Sequence, residues 1–233
     1  MRKVFLSSLA IAALGAQSAF SLPVLGLQVG SGPITTIFDG GALDLGGPVV
    51  NGAVLYSNAS FGGWNLTIAA GQSFSPGLVP FGLDLAVLAT CTGGTCATNA
   101  LTVGFADTNF KASVSAFTTT FTGTLAGSGI TAKQATYWDP ANSVDAGATF
   151  ATFPAGSFAL LSLATSGVLT ASGGGPAGPA AYSLALVQRF SGVGGFSTDG
   201  NITGVPEPSS VLLSLGVLFA SGTALRRKFQ ATA

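Results

Sequence analysis

Apolar and polar residues alternate one by one along most of this chain, and glycine or proline clusters break the alternation at short intervals. Phe81, Leu83, Leu85, Val87 and Ala89 interleave with Gly82, Asp84, Ala86 and Leu88. A period of two places one set on a buried face and the other on the opposite face of a strand. The pattern also predicts strands over Leu25–Val29, Ile34–Phe38, Val49–Tyr56, Trp64–Ala69, Ala135–Trp138, Ala148–Phe153, Phe158–Thr170 and Tyr182–Phe190. Asp39-Gly40-Gly41, Gly46-Gly47-Pro48, Gly62-Gly63, Ser75-Pro76-Gly77, Asp139-Pro140 and Gly173-Gly174-Gly175-Pro176 punctuate them as turns. About ten short strands with no helical stretch between the termini predict an all-β fold. A single β-sandwich is the expected architecture, with the jelly roll as one form of it. A β-helix needs a fixed repeat period, and none is present.

Two local expectations go further. Asn99 to Phe105 resumes the alternation after Cys91-Thr92-Gly93-Gly94-Thr95-Cys96, so the two strands read as a hairpin closed near its tip. Over 111–125, Ala112, Val114 and Ala116 hold one phase and Phe117 and Phe121 the other, which predicts a bulge near Ala116. Gly192 to Gly204 is glycine-rich and poor in apolar residues, and reads as a linker after a domain spanning 22–191.

Both ends of the chain read as targeting segments. Met1-Arg2-Lys3, the apolar run Val4–Leu14 and the small residues Ala16-Gln17-Ser18-Ala19 form a Sec-type signal peptide over 1–21, the cut lying between Ser18 and Leu22. Secretion machinery and signal peptidase are the expected first partners. At the other end, Val205-Pro206-Glu207-Pro208 precedes an apolar run over 209–225, then Arg226-Arg227-Lys228 and a cytoplasmic tail, 229–233. The prolines bar a helix and hold the triplet extended. From Pro208 to Leu225 eighteen residues carry no charge. As a helix they reach roughly 27 Å, near the short limit for a bilayer core. The three bases then act as a cytoplasmic anchor. A buried amphipathic helix and a permanent tail anchor are the competing readings.

The order of those three parts resembles the PEP-CTERM sorting signal of exopolysaccharide-producing Gram-negative bacteria. The resemblance is confined to 205–228 and implies an exosortase, a multi-spanning transpeptidase-like membrane enzyme, that recognises Pro206-Glu207-Pro208. It further implies transient anchoring in the inner membrane, then a place at the cell surface or outside the cell, alongside exopolysaccharide or biofilm matrix. It carries no activity onto the body.

The chain as a whole is formally neutral. Residues 22–204 hold three bases, Lys111, Lys133 and Arg189, against seven aspartates, a net charge of −4. No basic patch suited to nucleic acid exists in that balance. In an oxidising compartment Cys91 and Cys96, the only two cysteines, predict a disulfide across a small turn. Zinc would need more ligands than the chain offers, since it contains no histidine. No metal and no cofactor is expected.

Catalytic constellations are equally sparse. The chain lacks the commonest general base, histidine, and has no Gly-x-Ser-x-Gly elbow. A hydrolase would need two aspartates ~5–9.5 Å apart, or a serine beside Lys111 or Lys133. Gly173 to Gly178 matches a dinucleotide fingerprint in letters only, because Pro176 and Pro179 forbid the helix that must follow. Asp39-Gly40-Gly41-Ala42-Leu43-Asp44-Leu45 is similar to one copy of a calcium-binding Gly/Asp repeat, and reads first as a turn. Asn58, Asn65 and Asn201 open formal glycosylation sequons. Trp64, Tyr137 and Trp138 suit either core packing or a sugar-stacking platform. The leading expectation is a non-enzymatic exported surface or matrix protein. A carbohydrate-binding sandwich comes second and predicts Trp64 or Trp138 exposed on one face; an exported hydrolase comes third.

Overall fold

The computed structural model describes residues 23–49, 52–74, 82–111, 114–143, 153–176 and 180–206. The expected signal peptide, Glu207, Pro208, the apolar segment 209–225, the basic cluster and most of the expected strand Ala148–Phe153 lie outside these residues. Among the described residues no helix is long and apolar enough to cross a membrane.

The described residues form ten strands and one helical turn: β1 (Val24–Val29), β2 (Thr35–Phe38), β3 (Ala53–Phe61), β4 (Trp64–Phe74), β5 (Gly82–Cys91), α1 (Thr95–Thr98), β6 (Leu101–Phe110), β7 (Val114–Asp139), β8 (Ala159–Leu163), β9 (Gly167–Gly174) and β10 (Tyr182–Pro206). The expected all-β character holds. Two strands are far longer than expected. β7 and β10 run antiparallel to each other over nearly their whole length, and each serves two layers. In the first layer the order is β2-β1-β6-β10-β7-β8, using the first half of β10 and the second half of β7. In the second it is β3-β4-β5-β10-β7-β9, using the other halves. The layers face one another: the Phe105 ring of β6 lies in the space a side chain at Gly71 of β4 would fill.

The long strands turn from one layer into the other where glycines cluster. Gly129 has φ +65° and Gly192 φ +99°, conformations that side chains resist. A Cβ on Gly192 would stand 2.8 Å from the Gly129 carbonyl oxygen, so the two strands cross backbone to backbone. The pairing register shifts there, between Ser191 and Val193.

This architecture corrects three expectations. Residues 192–204 are not a linker: they are central strand, paired with β5 on one side and β7 on the other. Glycine-rich sequence served a bend and close packing rather than freedom. The segments on either side of the cysteine turn do not form a hairpin, since β5 pairs with β4 and β10 while β6 pairs with β1 and β10. The turn carries the chain from one layer to the other. The expected strand Phe158–Thr170 divides at 164–166 into β8 and β9, one for each layer. The irregularity expected near Ala116 is present, as a register shift at the point where Val205 and Pro206 meet Ala116 and Val114.

Between the layers sits the main core, including Trp64, Phe105, Phe117, Phe121, Tyr182, Phe190 and Phe196. A polar seam runs through it. Gln188 Nε2 donates to the Leu85 carbonyl at 3.0 Å and to Gln134 Oε1 at 3.2 Å, and Gln188 Oε1 accepts from the Thr198 hydroxyl at 2.8 Å. Gln134 Nε2 donates to Thr119 Oγ1 at 3.0 Å, and Thr119 donates to the Asn201 carbonyl at 2.7 Å. All four side chains, Gln188, Gln134, Thr198 and Thr119, are buried. Paired in this way, buried amides cost little and tie one layer to the other in a single register.

Candidate functional site

Four strands build one open face. On the outer side of the second layer, alternation sets Asp84 and Ala86 of β5 beside Ser197, Asp199 and Asn201 of β10. Thr118, Thr120, Thr122 and Thr124 of β7 follow, then Val168, Thr170 and Ser172 of β9. β-branched threonine suits a pleated strand, and its outward hydroxyl keeps the surface wet. The face is uncharged except for one pair of acids.

A groove of about 620 Å³ crosses this face, lined among others by Ala86, Thr122, Thr124, Ser166, Ser197 and Asp199. The β8–β9 turn forms its wall, where the Leu125 N–H donates to Ser166 Oγ at 2.9 Å. Beside it, Asp84 is hydrogen-bonded to Asp199. Burial, the Asp199 charge and that hydrogen bond together push the Asp84 carboxyl up to about 6. Two adjacent carboxylates resist ionising together, so the pair holds a proton well above the ordinary carboxylate range. Hydroxyls and one carboxyl pair on a shallow floor can exchange hydrogen bonds with a polyhydroxylated chain. Hydrogen-bonded carboxyls stand closer than the ~5–9.5 Å that separates an acid and its partner in glycoside hydrolysis.

The residues singled out in the sequence fall elsewhere. Trp64 is fully buried, its Nε1–H donating to the Asn99 carbonyl at 3.0 Å and its ring 5.6 Å from that of Phe196. Trp138 packs against the same core. Tyr137 belongs to a smaller cluster with Val24, Ala106, Ala135, Ala185 and Val187, on the other side of the first layer. No shared platform results, and the sugar-stacking expectation for these three aromatics is corrected. They were recruited for volume between the sheets and over the first one. Tyr137 Oη is buried without a hydrogen-bond partner. Burial pushes its hydroxyl up to about 12, against the pull of the Arg189 charge. The Arg189 guanidinium lies 4.6 Å over the Phe153 ring, and its Nε donates to Thr102 Oγ1 at 3.1 Å.

Cys91 and Cys96 form the expected disulfide, their Cα atoms 5.7 Å apart. The Asp39–Leu45 stretch is a turn. Asp44 accepts from the N–H groups of Gly40, Gly46 and Leu55, and Asp39 from that of Gly52. Burial raises the Asp44 carboxyl, but the three backbone donors outweigh it and hold it below the ordinary value. Its oxygens are thus engaged, and among the described residues no group of three or more histidine, cysteine or acidic side chains gathers as a metal site would. Lys133 stands opposite Ser162 on an exposed strand surface, and Lys111 is exposed. Val205 and Pro206, which open the Val-Pro-Glu-Pro stretch, are the last described residues, paired with Ala116 and Val114.

Sequence reasoning missed the acid pair and the groove. Asp84 was visible as the polar phase of a strand. Asp199 was hidden in a segment read as linker, and only a strand assignment there would have set the two side by side.

No known protein family and no curated protein matches this sequence. Among solved structures, the chain is similar to TmCBM61 in complex with β-1,4-galactotriose, with 7% identity and a TM-score of 0.31, covering 66% of this chain and 88% of that one. A CBM4 structure gives 8% identity and a TM-score of 0.29 over 65% of this chain and 86% of that one. The CBM22-1–GH10 modules of Clostridium thermocellum xylanase 10B, complexed with xylohexaose, give 13% identity and a TM-score of 0.29 over 62% and 26%. Similarity that low says nothing about what this chain binds.

Proposed function

We propose that this chain is a non-enzymatic exported surface or matrix protein, sorted through its PEP-CTERM-like tail by an exosortase-type enzyme and held among exopolysaccharide by its sandwich body. The observation that carries the reading is the order of parts at the end of the sequence. The central strand β10 reaches Pro206, and Glu207-Pro208, the charge-free run and the basic cluster follow without a spacer. The hydroxyl-lined groove supports the polysaccharide contact, through hydrogen bonds rather than aromatic stacking.

The deciding measurement is the intact mass of the protein recovered separately from native envelope and medium. Loss of the signal peptide and of everything beyond the Pro-Glu-Pro region is expected. A membrane-bound species retaining residues to Ala233 overturns sorting and leaves a tail-anchored envelope protein. Replacing Pro206, Glu207 and Pro208 by alanine should leave the unprocessed mass as the main species.

A further inference from the structure

The edges of the two layers are unequal. β2 has four residues and β8 five, and β3 pairs with β4 through two register shifts. Short or irregular edges are poor templates for another strand. β9 is different. It runs eight residues, Gly-Val-Leu-Thr-Ala-Ser-Gly-Gly, with no charge and no proline, and pairs with β7 in unbroken register. Among the described residues, neither a charge, a proline nor a bulge protects this edge. Its inward residues Leu169 and Ala171 pack against the core but stay only half-buried, whereas their β7 partners Phe121 and Thr119 are fully enclosed. Val168, facing outwards, is 65% exposed.

We propose that β9 is a homotypic docking edge, along which a second copy of this chain pairs its own β9 antiparallel and continues the second layer into that of its partner. A second copy fits because a strand pairing with itself across a twofold axis is self-complementary in its backbone. The pairing demands that no side chain repel its own image. β9 meets that demand, for the edge and the threonines of β7 behind it are uncharged, and the nearest acid on this face, Asp199, lies a further strand inwards on β10. Thr170 and its image would be near neighbours, a favourable cross-strand pair. The contact would bury Leu169 and Ala171. Resting on the polysaccharide reading above, the pair would also present two grooves on one continuous face and bind a long chain bivalently.

The test uses the full chain in mild detergent. Both native cysteines are engaged in the disulfide, so single Val168→Cys, Thr170→Cys and Ser172→Cys variants each carry one free thiol. Oxidation should give a covalent dimer in at least one of them. Thr170→Lys should shift sedimentation from dimer to monomer with unchanged Tm, while Ser57→Lys on the β3 edge leaves the dimer intact. A wild-type chain that is monomeric at its highest soluble concentration overturns the proposal. So does a dimer that none of the three thiols crosslinks and that Thr170→Lys leaves unchanged. Neither readout involves glycan or processing, so failure here leaves the proposed function standing, and the reverse.

Discussion

The two halves of β10 share one chain and one core but differ in what covers their outer side. From Tyr182 to Gln188 every residue is buried, because Ala185 and Val187 face a second small cluster with Val24, Ala106, Ala135 and Tyr137. From Phe196 onwards burial alternates: Phe196, Thr198, Gly200 and Ile202 face inwards, while Ser197 and Asp199 are exposed. A strand covered on both faces resists substitution at every position; one covered on a single face offers half its positions to a ligand. The candidate site therefore lies on the second half, where the layer is open.

The sharpest break in that contrast is an inward position of the open half. A Cβ at Gly200 would fall on the Gln134 amide, with the Gln188 amide at 2.7 Å. Gly200→Val should lower stability by about 3 kcal/mol or more, read by denaturant unfolding. Gly195→Ala, whose nearest neighbour would be the Ala126 methyl at 3.9 Å, should change it by less than about 0.5 kcal/mol. Next comes the seam joining the halves. Gln188→Leu removes the bonds to the Leu85 carbonyl, to Gln134 Oε1 and from the Thr198 hydroxyl, and should cost about 2–3 kcal/mol in the same assay. Tyr137→Phe works the other way. Its hydroxyl is buried without a partner opposite Ala185, so removing it should raise stability by about 1 kcal/mol.

The smallest effect belongs to the acid pair. The Asp84 carboxyl is raised to about 6 in the folded chain, by burial first and by Asp199 second. Unfolded, it would titrate near ~3.9. Folding then takes up a proton between those values, so the contribution to stability is full below the unfolded value and is lost as pH rises through about 6. Asp84→Asn should raise Tm slightly at pH 8 and leave it unchanged at pH 4. An equal rise at both pH values would show that the pair is not titrating.

Much of the first half of β10 was legible in the sequence. Tyr182, Leu184 and Leu186 carry the alternation plainly, and the neighbouring Ala185 and Val187 mark a strand with two apolar faces. The second half was not. Gly192, Gly194, Gly195, Gly200 and Gly204 thin out the apolar phase that should announce a strand. Three of these make room for something distant in sequence: Gly192 and Gly194 for the β7 backbone at 126–130, and Gly200 for the Gln134 amide. With Asp199 inside that stretch, half of the acid pair went with it.

By itself the sequence determined the strand-rich character, the turns at Asp39-Gly40-Gly41 and Gly62-Gly63, the disulfide and the irregularity near Ala116, because each depends on residues close together in the chain. The tertiary structure alone decided which strands pair, that β7 and β10 serve both layers, that Trp64 lies inside, and that Asp84 meets Asp199. Those outcomes rest on contacts between segments many tens of residues apart. Alternation names two faces for every strand, but only packing selects which one meets water.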